Sequence, residues 1–394
     1  MPAASIYLDN NSTTPIDPRV VEAMSRTWRE CGANPSSQHA LGRKARRVLE
    51  DAREGIADLL GAKTSGMDAD QLIFTSGGTE ANNLAVLGLS SIPTAGTKPC
   101  PGMGSELRSA LVISAIEHPS IMAAAEELRR RGGLVQVLPV NVEGAVEIRR
   151  QEISRHISVM LANNETGVIQ PVTDIAKDCR ERGVSMHTDA VQAVGKIGVN
   201  FRELGVDAMT VAPHKFHGPL GIGALVLRHG VTLRPLLFGG FQQAGIRPGT
   251  ENVALAVGFH EALRLAVAEL AERGATMRTL RDELERSLRA ALANIVIIGE
   301  HARRLPNTSC ASFPGVDRQA LVMALDLAGV ACSTGSACAS GSSEPSPTLL
   351  AMELPQDVIG GAIRLSLGAF TTAADVAEAA RRIVKTVMHL RAEK

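Results

Sequence analysis

Aromatic residues are scarce in this chain. They make up 3% of its 394 residues, with one Trp and one Tyr among them. Platforms that stack nucleobases or cage a cation between rings are therefore not expected. Charge of one sign is also missing, since 41 Lys and Arg balance 41 Asp and Glu. With no basic block either, nucleic acid and anionic membrane are poor candidates for the main partner. No apolar run nears the roughly 20 residues that a membrane helix needs. The start, Met1-Pro-Ala-Ala-Ser-Ile-Tyr-Leu-Asp-Asn10, has neither the basic nor the apolar region of a secretory signal. Paired zinc-type spacing is absent from the six cysteines, Cys31, Cys100, Cys179, Cys310, Cys332 and Cys338. Free thiols in a reducing cytoplasm are the expectation.

What is present is a long chain that is 45% hydrophobic. That suffices for a large domain with its own core and a smaller one. After a polar loop at Asn34-Pro-Ser-Ser-Gln-His39, apolar residues from Leu41 to Leu60 recur at helical spacing, and Gly61 stops the run. Strands and helices then alternate. Strands are expected at 71–75, 110–114, 134–138, 157–161, 184–187, 208–211 and 223–227. Such alternation implies an α/β fold with a largely parallel sheet covered on both faces. Thr250 to Leu292 reads as one long helical run. Beyond it, a strand near 309–313, a helix over 317–328, a strand over 362–367 and a closing helix from Thr372 make a smaller α+β unit. The expected division is a large unit over 16–263 and a small one from 1–15 and 264–394.

Polar clusters follow several expected strands, where open α/β sheets bind ligands. Ser76-Gly77-Gly78-Thr79-Glu80 joins a strand to a helix and suits a phosphate. Glu117-His118-Pro119, Asn163-Asn164-Glu165-Thr166-Gly167 and His187-Thr188-Asp189-Ala190-Val191-Gln192 follow three others. Each alone reads equally as a turn or helix cap. Together they fall on one edge of the sheet.

Ala212-Pro-His214-Lys215-Phe-His217-Gly218-Pro219 comes at a further strand end. A lysine hemmed by His, Pro and Gly is suited to Schiff-base chemistry in a partly desolvated pocket. Phosphate cradle, lysine and carboxylate are the parts of a pyridoxal phosphate site. A metal held by His214 and His217 is the competing reading, and it lacks a third ligand nearby. The run Cys332-Ser-Thr-Gly-Ser-Ala-Cys338-Ala-Ser-Gly-Ser-Ser343 is too small and polar to bury apolar area, so a mobile loop is expected. An accessible thiol there is either incidental or deliverable to chemistry elsewhere.

Thr75-Ser-Gly-Gly-Thr-Glu80, Asn163-Asn-Glu-Thr-Gly167, His187-Thr-Asp-Ala-Val-Gln192, His214-Lys215, Arg247-Pro-Gly-Thr250 and Ser333-Thr-Gly-Ser-Ala-Cys338 occur in this order. The chain thereby closely resembles the cysteine desulfurases of the IscS/NifS type, from Tyr7 to Thr371. The resemblance implies the fold-type I architecture of class V pyridoxal phosphate enzymes, with a mostly parallel seven-stranded sheet. It implies that Lys215 carries the cofactor covalently and takes the substrate Cα proton, while His118 stacks on the ring as a second acid/base. Asp189 is implied as partner of the ring nitrogen and Gln192 of the ring hydroxyl, with Asn164 close by. Gly78, Thr79 and His214 would hold the phosphate, helped by Thr250 from the partner subunit of a homodimer. Asn34, Asn164 and Arg364 would bind the substrate. Arg364 also stands out on its own, because it alternates with the apolar Ile363, Leu365 and Leu367 and suits a carboxylate.

The implied reaction takes sulfur from L-cysteine onto the Cys338 thiolate, releases alanine and leaves a persulfide for an acceptor protein such as an iron–sulfur scaffold. Cys338 is then also a conceivable transient cluster ligand, with no resident metal. Ala212 stands where the family usually has a hydroxyl near the phosphate, Leu220 replaces a common lysine, and the stretch 90–109 is longer than usual. A selenocysteine lyase or a class V aminotransferase is the nearest rival. A non-catalytic sulfur-relay subunit is a rival of another class, disfavoured by retention of Lys215 and Asp189.

Overall fold

The computed structural model describes residues 5–90, 110–147, 155–335 and 344–392. The chain opens with β1 (Ile6–Tyr7), α1 (Pro18–Glu30) and α2 (Ala40–Leu59). It continues through β2 (Gln71–Thr75), α3 (Gly78–Leu89), β3 (Ala110–Ser114), α4 (Pro119–Arg130) and β4 (Leu134–Leu138). Then come β5 (His156–Ser158), α5 (Val172–Glu181), β6 (Ser185–Asp189), α6 (Phe201–Leu204), β7 (Ala208–Val211) and β8 (Gly223–Leu227). Two long helices, α7 (Val253–Ala268) and α8 (Leu270–Ala291), precede β9 (Val296–Ile297), β10 (Thr308–Ser312), α9 (Arg318–Leu327) and β11 (Val330–Ala331). The last elements are α10 (Pro347–Ala351), α11 (Gln356–Gly360), β12 (Ala362–Ser366) and α12 (Ala373–Ala392).

Seven strands form one sheet in the order β2-β8-β7-β6-β5-β3-β4. β8 is antiparallel to both β7 and β2, whereas the pairs from β7 to β4 are parallel. β2, β3, β5, β6 and β7 therefore all end on the same edge. Residues along β8 divide between two cores: Ala224 and Val226 join one apolar cluster, Leu225 and Leu227 the other. That is the signature of a strand with helices on both faces.

A separate apolar cluster gathers Ile6 and Leu8 with Leu280, Leu284, Phe313, Ile363, Leu365, Leu367 and Ile383. It packs on the three-stranded sheet β12-β10-β9. The alternation read for β12 holds, because Ile363 and Leu365 point into this core while Ser366 bonds the N-terminal segment.

The expected helix over 250–292 is two helices. Glu269 caps the end of α7 with its own N–H on Leu265 O, and its φ of −102° and ψ of 9° break the helical path. Its carboxylate is held by Arg19 and Arg273. The expected strand over 157–161 is observed as His156–Ser158, although Val159 N and Leu161 N beyond it still donate to His187 O and Asp189 O of β6.

Candidate active site

Five strand ends surround one cavity of about 220 Å³, lined among others by Gly78, Thr79, Asn82, His118, Asn164, Asp189, Gln192, Ala212, His214 and Lys215. Its floor begins at the β2–α3 turn. The N-cap of α3 is Gly77, which offers no side-chain cap, so the first amides of a twelve-residue helix are left for another acceptor. A side chain on Gly78 would be 3.1 Å from Val191 Cγ2 and 3.5 Å from Ala212 Cβ, so glycine keeps this end of the cavity open. The cradle suits a phosphate.

Asp189 ends β6 with 6% exposure. Its Oδ1 accepts from Val191 N at 2.9 Å and its Oδ2 from Asn82 Nδ2 at 2.7 Å. Asn82 also donates to Ser120 Oγ at 2.9 Å, and Ser120 Oγ lies 2.8 Å from His118 Nδ1. Ser120 N donates to the same Nδ1, so that atom accepts and the neutral ring carries its hydrogen on Nε2. Burial pushes the His118 imidazole below its ordinary value, against the pull of the Asp189 carboxylate. Asn82 was not among the residues expected from sequence. It stands three positions after Thr79 on α3, the spacing that returns to the same helix face, and its Oδ1 is buried with no partner among the described residues.

Lys215 sits in a short 3₁₀ turn after β7, with its Nζ donating to Asn11 O at 2.6 Å and Ser12 O at 2.7 Å. His214 meets Thr13 Oγ1 at 3.2 Å, and burial together with Lys215 pushes it down to about 4. His217 faces elsewhere, onto Pro15 O at 2.8 Å. Glu117, next to His118, is fully enclosed. It accepts from Met160 N and Ser114 Oγ, and burial pushes it up to about 8.

Three of the residues implied for substrate or cofactor do not line this cavity in the single chain. Arg364 lies 3% exposed behind Asn164, donating to Asn164 O at 3.0 Å and to Asp9 Oδ1 at 2.7 Å. Its Nε is buried and unpartnered among the described residues. Asn34 is exposed and accepts from Ser36 N, and Thr250 is exposed as well. Cys338 lies outside the described residues, as does Cys100. Cys332 is partly buried against the small core, and burial pushes its thiol up to about 12. Glu165, buried, accepts from Ser346 Oγ at 2.6 Å.

Carboxylate, imidazole, amine and an uncapped helix end thus share one cavity, a donor set that fits pyridoxal phosphate. The sheet and this edge define a fold-type I enzyme dependent on that cofactor. The class-V aminotransferase family model matches residues 6–378. The chain is 40% identical over 379 residues to a cysteine desulfurase IscS of Dictyoglomus turgidum, covering 94% of this chain and 91% of the relative. A solved NifS-like protein superposes with a TM-score of 0.87 at 32% identity, covering 98% of this chain and all of that one. SspA, solved in complex with cysteine, superposes with a TM-score of 0.75 at 28% identity, covering 93% of this chain and 100% of that chain. The chain belongs to the class-V aminotransferase family, among its cysteine desulfurases.

Proposed function

We propose that this enzyme moves sulfur from L-cysteine to Cys338 as a persulfide and releases L-alanine. The observation that carries the reading is the meeting of Lys215, His118, Asp189 and Gln192 on one cavity beside the open end of α3. Pyridoxal phosphate, when bound, supplies an electron sink for the substrate carbons. Gly78, Thr79 and His214 hold its phosphate, Asp189 its ring nitrogen and Gln192 its ring hydroxyl. Lys215 would hold the group covalently, and its amine would take the substrate Cα proton. His118, neutral and with its hydrogen on Nε2, is the second proton carrier.

Arg364 takes the substrate carboxylate, with Asn34 and Asn164 beside it. The orphaned Nε supports this role, since a buried donor without an acceptor is costly until one arrives. The Cys338 thiolate attacks the substrate sulfur. A sulfur–sulfur bond forms and the carbon–sulfur bond breaks. Its electron pair stays with carbon, which takes a proton and leaves as alanine. The outer sulfur then passes to an acceptor protein such as an iron–sulfur scaffold.

The working form is a homodimer in which the partner brings Thr250 to the phosphate. Phe238 and Phe241, 87% and 96% exposed near Thr250, support that reading because a second copy would cover them. The large unit spans 16–263 and the small one 1–15 with 264–394, a division supported by the apolar cluster of Ile6 and Leu8 with Leu284, Phe313 and Ile363, which draws only on the small unit. The larger cluster crosses it through Ile298, Leu305 and Leu349. The cytoplasm is the proposed location, in keeping with the free thiols of Cys31, Cys179, Cys310 and Cys332. Among the described residues, no helix is long and apolar enough to cross a membrane.

The test mixes protein, cofactor, L-cysteine and a reductant, and reads sulfide and alanine together. Wild type makes both in equal amounts. Cys338→Ser keeps the visible cofactor absorbance and makes almost no persulfide, while Cys332→Ser stays active. The reverse pattern would assign the sulfur carrier to Cys332.

A further inference from the structure

The chain on either side of Cys338 comes back to one buried side chain. Glu165 is 5% exposed and follows Asn164 directly. On the near side, Gly335 has φ +92°, and a side chain there would come within 2.5 Å of Glu165 Oε2, so its backbone lies against the carboxyl group. Gly335 N donates to Ser333 Oγ at 3.1 Å. Ser333 in turn pairs with Arg364, with Arg364 N on Ser333 O at 2.7 Å and Ser333 N on Arg364 O at 3.3 Å. On the far side, Ser346 Oγ donates to Glu165 Oε2 at 2.6 Å, and the Thr348 hydroxyl bonds the same carboxyl group. Arg364 Nη1 donates to Asn164 O at 3.0 Å, so both sides are tied to the residues proposed to take the substrate.

We propose that Glu165 is a positioning residue for sulfur transfer, a clamp that holds Gly335 and Ser346 beside Asn164 and Arg364 and so sets how far the Cys338 thiol can reach. This rests on the assignment of Cys338 as the sulfur carrier. Chain geometry supplies the reason. A residue spans at most about 3.6 Å, so the three steps from Gly335 to Cys338 allow about 11 Å between their Cα atoms. The eight steps from Cys338 to Ser346 allow about 29 Å, which constrains little. The near side therefore decides where the thiol can go. Gly335 is fixed there by Ser333, itself paired to β12, and by its contact with Glu165. Glycine suits this position twice, for its left-handed φ and for the close approach of the carboxyl group. The hydroxyls of Ser346 and Thr348 hold that group in place from the other side, and they can bond a carboxyl oxygen whatever its charge.

The experiment separates substrate binding from sulfur transfer in the holoprotein. Rapid mixing with L-cysteine reads binding from the visible absorbance, and alkylation after a single turnover reads the persulfide by mass. Gly335→Ala pushes a Cβ into Glu165, and Glu165→Ala removes the clamp. Each is expected to slow persulfide formation about tenfold or more, with cysteine binding within about twofold of wild type. Glu165→Gln keeps an acceptor for Ser346 and is expected to bring transfer back to within about threefold of wild type. Ser346→Ala is expected to cost less than Gly335→Ala, because it frees only the longer arm. Gly335→Ala carries the test if the Glu165→Ala variant folds poorly. Cysteine binding that falls as far as transfer, transfer at the wild-type rate, or equal losses from Gly335→Ala and Ser346→Ala would each overturn the proposal. Persulfide made by Cys338→Ser at the wild-type rate would instead remove the underlying assignment of the sulfur carrier.

Discussion

Two polar regions meet under the cavity, and they handle charge in opposite ways. On one side, Asp17, Arg19, Glu269 and Arg273 form a network in which every charge has an opposite partner. Arg19 reaches Asp17 at 2.7 Å and Glu269 at 2.6 Å, and Arg273 reaches Glu269 at 2.5 Å. On the other side, Lys196 and Lys215 rest on amide and carbonyl oxygens with no countercharge among those bonds. Around them His118 and His214 are pushed down and Glu117 is pushed up, all chiefly by burial. The paired network fastens α1 to the joint between α7 and α8. The other holds groups whose proton affinities are displaced from their ordinary values, which is what proton-transfer chemistry needs and what packing alone does not require.

The sharpest way to break the contrast is Lys215→Ala. It is expected to abolish the covalent cofactor band and cut turnover by roughly 10³-fold or more, with little change in melting temperature. Absorbance and alanine release measure it. Asp17→Ala is the converse. It removes the α1 cap and an ion-pair partner, so stability should fall by about 1–3 kcal/mol while turnover per folded molecule is kept. Urea melts beside a rate measurement would show whether the two regions are separable. Lost turnover at kept stability would erase the distinction.

The smallest effect concerns Glu117. Its folded value of about 8 stands above the unfolded carboxylate value, so the native state binds its proton more tightly. Stability contributed by this group is full below the unfolded value, and it drains away as pH rises to about 8. Glu117→Gln mimics the protonated acid and should flatten that slope. Urea midpoints taken across the range read it, and an unchanged slope would mean Glu117 is not the group responsible.

The pieces of the site that sequence revealed are those the chain writes consecutively. A short apolar strand followed by Ser-Gly-Gly-Thr, Glu-His or Asp-Ala-Val-Gln places polar residues at a strand end whatever the rest of the molecule does. Arg364 was legible for a related reason, since period-two alternation fixes its face. Asn11, Asn82 and Lys196 were not, because their roles depend on contacts across large sequence separations. No local pattern singles out Asn11 or Lys196. The joint at Glu269 escaped for the same reason. No Gly or Pro marks it, and its conformation is tied down by Arg19 from the far end of the chain.

The N-terminal segment threads all of this together. Leu8 O accepts from Ser366 N at 2.7 Å, Asn11 N donates to Ser366 Oγ at 2.9 Å, and Thr14 Oγ1 donates to His214 O at 2.9 Å. During synthesis, then, the residues that steady Lys215 leave the ribosome before the strands they will join and find their seats after them. They wait until β12 has been made, so a nascent chain can own a finished large sheet and still lack a finished cofactor pocket.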